Sequence, residues 1–77
     1  MKELLVAIAS GLVENPDEVK VTVDEPNENG VTVLHLQVAQ SDMGRVIGKQ
    51  GRIAKAIRTV MRAAANKANT AIAVEID

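Results

Sequence analysis

Leu4, Leu5, Ile8 and Leu12 recur at helical spacing, so the pattern predicts a helix over residues 2–14, stopped by Asn15-Pro16. Val19, Val21 and Val23 then alternate with Lys20, Thr22 and Asp24, the signature of a half-buried strand. "EPNENG" at residues 25–30 is turn chemistry, and "VTVLHLQVA" at 31–39 reads as a second strand. In it Leu34, Leu36 and Val38 face a core while His35 and Gln37 face away, and the two strands are expected to form an antiparallel hairpin. Ser41-Asp42 is a cap signal for a short helix over 43–47, Gly48 to Gly51 break it, and 52–66 read as a long Ala- and Arg-rich helix. After the loop "NKANT", Ile72, Val74 and Ile76 alternate with Ala73 and Glu75 in a last strand. The order is α-β-β-α-α-β, an α+β fold in one domain spanning residues 1–77.

Charge changes this picture. The net charge of -1 conceals a segregation: residues 1–42 carry two basic and eight acidic side chains, whereas 43–74 carry seven basic ones and no acid. A whole-chain balance argues against a polyanionic partner; a local run of this kind argues for one, or else is a solvated helix face. Composition removes other options. There is no Phe, Tyr or Trp, so the core is built from aliphatic residues and Met, and no aromatic platform exists on which a base could stack. There is no cysteine, hence no disulfide and no thiolate metal site. No secretory leader pattern and no apolar stretch of about 18 residues follow Met1, so the chain is read as soluble and cytoplasmic, with no membrane partner.

The candidate chemistry lies in "RVIGKQGR", residues 45–52. A turn between two helices leaves the first N–H groups of the second helix unpaired and partly positive. Gly48 and Gly51 remove the Cβ atoms that would obstruct another backbone, Lys49 puts a cation on the tip, and Arg45 and Arg52 flank it. Together they make a seat for phosphate. A bare G-x-x-G is also a plain inter-helix turn. It matches neither a Walker A sequence nor a dinucleotide fingerprint.

The full run "GRVIGKQGRIAKAI", residues 44–57, resembles the signature of K-homology (KH) domains, in which an apolar residue and Ile precede Gly-x-x-Gly. The element order resembles the type II KH topology found mostly in bacterial proteins, and the resemblance covers essentially the whole chain. It implies a three-stranded sheet packed on one side by three helices, and binding of single-stranded RNA. KH domains clamp about four nucleotides. By that match Gly48, Lys49, Gln50 and Gly51 form the clamp, Ile47 and Ile53 line an aliphatic groove floor, and one strand with either the 25–30 or the 66–70 loop forms the opposite wall. One position departs from the signature: Ala54 stands where a bulky apolar residue is usual, and Ile53 comes one residue early.

At about 100° per residue, Lys55, Arg58 and Arg62 share one basic stripe of the long helix, continuous with Arg52 and Lys49. The candidate RNA-binding set is therefore Arg45, Ile47, Gly48, Lys49, Gln50, Gly51, Arg52, Ile53, Lys55 and Arg58. The apolar side is wide. Ala54, Ile57, Met61 and Ala64 form one row, and Ile53, Ala56, Val60 and Ala63 a second, turned by roughly 100°. A small aromatic-free domain gains from association. The second row is accordingly read as a partner surface for a homodimer, or for a heterodimer with another KH-domain protein, which the resemblance also implies. A rival reading makes the chain chiefly a protein-interaction subunit docking through the long helix. No nucleophile-base constellation or cofactor cradle is visible, so the expectation is no enzyme, no cofactor, no metal and no small-molecule substrate. His35, the one histidine, has no second ligand and reads as structural.

Overall fold

The structure, a computed structural model, describes residues 1–76 apart from the side chain of Lys49. Helix α1 (Lys2–Ser10) is followed by a 3₁₀ turn (Pro16–Glu18), strands β1 (Lys20–Val23) and β2 (Val31–Gln37), helix α2 (Gln40–Lys67) and strand β3 (Ala71–Ile76). β2 is central: it pairs antiparallel with β1, Val21 opposite Leu36, and parallel with β3, Leu34 opposite Val74. A parallel pair cannot be joined by a tight turn. α2 is the crossover that carries the chain from the end of β2 back to the start of β3.

The alternation along the strands puts Val21, Leu34, Leu36 and Val74 on one face of the sheet, where they meet Leu5 and Ala9 of α1 and Ile57 and Met61 of α2. Leu5, Leu34, Leu36, Ile57 and Met61 are sealed from solvent. Burying each such side chain is worth about 1.5–3 kcal/mol, so five aliphatic anchors take the place of the missing aromatics. The helices thus cover one face of the sheet; Thr22, Gln37 and Glu75 stand on the other.

Three sequence expectations are corrected. α1 ends at Ser10, not residue 14: the Gly11 amide closes on the Ala7 carbonyl at 3.2 Å, and the Leu12 amide on Ala9 at 3.0 Å. Glycine weakens a helix by about 1 kcal/mol relative to alanine, and the chain leaves the helix there. Leu4 and Leu12 are consequently part-exposed, and the buried pair is Leu5 with Ala9. Second, Ser41 caps nothing: α2 starts at Gln40 behind Ala39 with no side-chain cap, and Ser41 Oγ instead accepts from Asn15 Nδ2 at 3.1 Å. Third, the break expected over Gly48–Gly51 narrows to two residues. Gln50 (φ 63°) and Gly51 (φ 70°) are left-handed, while residues 48 and 49 keep helical backbone. A right-handed spiral does not run through two left-handed residues. α2 is therefore two arms, 40–49 and 52–67, which correspond to the two consecutive helices expected from sequence.

Candidate nucleic-acid interface

The two arms meet at the turn, and the two glycines there have different reasons. Gly51 sits at φ 70°, where a side chain is strained. Gly48 has ordinary helical backbone, and a Cβ built on it meets no atom of the described residues within 4 Å beyond its chain neighbours and its own helix backbone. Neither the fold nor its packing asks for glycine at 48, so the residue leaves room for something outside the chain. Gln50 occupies the left-handed region without being glycine, a conformation worth noting because it costs about 1–2 kcal/mol.

Gly44, Arg45, Gly48, Arg52 and Ile53 line a hollow of about 450 Å³ between the arms, within the range of about 300–1,000 Å³ typical of ligand sites. Ile47 stands beside it with 56 % of its surface exposed, the most exposed large apolar side chain. Ile53 is half-buried and also packs against the core. Of the ten candidate residues, Arg45, Gly48, Arg52 and Ile53 therefore converge on one hollow, with Ile47 and Gln50 beside them in sequence. The side chain of Lys49 lies outside the described residues.

The C-terminal arm has three faces. Ala54, Ile57, Met61 and Ala65 are buried against the sheet. Ala54, the departure from the KH signature, thus keeps the core register, and Ala64, expected in that row, is only half-buried. About 90° to one side lie Lys55, Arg58 and Arg62, all exposed; about 140° to the other lie exposed Ala56, Val60 and Ala63. The basic face borders β3: Arg58, Met61, Arg62, Ile72, Ala73 and Val74 line a second hollow, and Arg58 Nε donates to the Val74 carbonyl at 3.2 Å. Arg58 and Lys55 lie away from the hollow between the arms, further along the same helix.

Sequence reasoning missed how this interface is anchored. Asp42, 3 % exposed, accepts from the Glu14 and Asn15 amides and from Asn15 Nδ2, each at 3.1 Å. It ties the corner after α1 to the first turn of the arm that carries Arg45. Glu14 in turn pairs with Arg45 at 3.4 Å. Burial opposes the Asp42 charge, but the donors from Glu14 and Asn15 outweigh it, Arg45 adds to them, and the carboxyl sits below its ordinary 3.8. A depressed folded-state value means stability present above pH 3.8 and lost as pH falls through that value toward the folded one. Thermal melts on the acid side should steepen accordingly, and Asp42→Asn should melt lower at neutral pH while losing part of that acid dependence. An unchanged acid profile in the variant would remove Asp42 from this role.

His35 Nε2 lies 2.8 Å from Asp24 Oδ2 across the hairpin, which accounts for it structurally. Among the described residues no cluster of three or more His, Cys, Asp or Glu could hold a metal ion. No described helix is long and apolar enough to cross a membrane.

A mixed three-stranded sheet, helices on one face, and a glycine turn between two helical arms define a type II K-homology domain. The family model for the KhpA/KhpB KH domain matches residues 2–76. RNA-binding protein KhpA of Clostridium acetobutylicum is 58% identical over 76 residues, 99% of each chain, and that of Clostridium perfringens is 54% identical over the same share. Among solved structures, Aquifex aeolicus Era superposes with a TM-score of 0.66 at 19% identity, over 97% of this chain and 28% of that one, a likeness of fold alone. The chain belongs to the KhpA/KhpB KH-domain family.

Proposed function

We propose that this protein binds single-stranded RNA in the cytoplasm and performs no chemistry. The turn from Gly48 to Gly51 grips the backbone of about four nucleotides. Arg45, Arg52 and Lys49 neutralise phosphates, and Ile47 and Ile53 give bases an aliphatic floor. Relatives named as RNA-binding proteins along the full chain support the class. The observation that carries the site is Gly48, a glycine that neither backbone nor packing requires, beside an exposed Ile47 and a cationic hollow.

The opposite wall is strand β3 rather than either loop. The 25–30 and 66–70 segments both lie at the Val31–Ala71 end of the sheet. The arm from residue 52 to 67 runs about 24 Å from the turn to that end. β3 instead borders the basic face through Arg58. The protein works as a homodimer, or paired with a second KH protein, through Ala56, Val60 and Ala63 with Ile53 at the margin. Exposed Val60 among alanines supports that surface. If RNA contact proves secondary, the same surface favours the interaction-subunit reading.

Fluorescence anisotropy with short single-stranded RNA pools at two salt concentrations tests the reading, wild type beside Gly48→Ala. Affinity should fall as salt rises. The variant should bind several-fold more weakly, yet melt at or slightly above the wild-type temperature, since its methyl group enters open space on a helix. A folded wild type that binds no RNA, or a Gly48→Ala protein that binds as well, would overturn it.

A further inference from the structure

Arg58 differs from the other cations of its face. Among the described residues, its bond to Val74 is the one hydrogen bond made by any arginine to the backbone of another element. That bond bridges α2 and β3, the two walls of the groove, across 16 residues of sequence. A guanidinium is rigid and planar and carries five N–H donors. With Nε committed to the β3 carbonyl, the plane of the group is set. Two parallel N–H donors, one from each terminal nitrogen, remain on its end, and no described residue takes them. The surroundings are apolar on the floor, with Met61, Ile72 and Val74 lining the same hollow. Arg62 and Lys55, exposed and unpinned, are the better phosphate partners.

From this we infer that Arg58 is a specificity-determining residue: a fixed two-pronged donor that reads a base edge offering two adjacent acceptors. The inference rests on the RNA reading above and adds the class of base. Cytosine presents O2 beside N3 and guanine presents O6 beside N7, whereas the edges of uracil and adenine alternate donor with acceptor. A base seated edge-on to Arg58 and face-on to the aliphatic floor is selected as cytosine or guanine. The missing aromatic platform strengthens the point, because hydrogen bonding is then the groove's means of selection.

Oligocytidylate and oligouridylate of equal length carry the same backbone charge and ring size, so comparing them isolates the edge. Anisotropy titrations at neutral pH should give wild type a roughly tenfold preference for cytidylate. Arg58→Lys keeps the charge but has no fork. It should still bind both oligomers while the preference collapses toward one. Arg62→Lys should retain the preference. Melting temperatures confirm that both variants are folded. Equal wild-type affinity for the two oligomers, or an Arg58→Lys protein that keeps the preference, overturns the inference while leaving RNA binding intact. Absence of binding to either oligomer overturns the RNA reading and the inference with it.

Discussion

Val60→Asp should leave a folded monomer, and Met61→Asp should not fold. The two residues are neighbours in sequence and about 100° apart on one helix. Met61 is fully buried in the core cluster, and Val60 is 46 % exposed. A carboxylate at 61 has no partner and loses its water, a cost of several kcal/mol. The whole domain has about 4–12 kcal/mol to lose, at roughly 0.05–0.15 kcal/mol per residue. At 60 the carboxylate stays wet, and valine and aspartate have nearly the same helix propensity, so little stability is lost. The proposed partner surface, by contrast, would have to bury that charge. Circular dichroism melts separate the folding outcomes, and light scattering after size exclusion reads the mass. A Val60→Asp protein that remains a dimer at wild-type concentrations would move the interface off this face.

Replacing Lys49 and Gln50 together by aspartate should cost roughly 30- to 150-fold in RNA affinity. The change amounts to three units of charge beside the phosphates. At about 5 Å in water each unit is worth about 0.8 kcal/mol, and each lost phosphate contact lowers the salt slope by about 0.7. The backbone tolerates the change, because aspartate enters the left-handed region at position 50 more readily than most residues. Melting should therefore stay near wild type while anisotropy loses its salt-sensitive signal. Full binding by the folded variant would show that the turn is not the site.

The strands were legible because a two-residue alternation needs no knowledge of partners: Leu34, Leu36 and Val74 face inward as the pattern required. The turn was legible because glycines three apart between helical patterns are locally unusual. What the sequence hid was non-local. Asp42 read as half of a cap signal because its donors lie 27 and 28 residues away. The sequence did hold a hint, an acidic residue in a helix that had Ser41 beside it as the more ordinary cap. Arg58 read as one cation in a stripe, since its tie to Val74 exists only once β3 pairs parallel with β2. The end of α1 was missed because Leu12 continued the helical stripe beyond Gly11, and local propensity decided against the pattern.

The parallel pairing has a consequence for how the molecule comes into being. Val31 meets Ala71 and Leu36 meets Ile76, so every β2–β3 contact joins residues 40 apart in the chain. The hairpin of β1 and β2 is local and closes early, whereas loop-closure entropy delays the β3 pairing. The first arm, the glycine turn and the second arm can all form from contacts closer in sequence than that pairing. A chain whose β3 has not yet paired therefore carries its cationic turn without the strand opposite it. On the reading proposed above, pairing of β3 is the step that turns a basic segment into a groove with two sides.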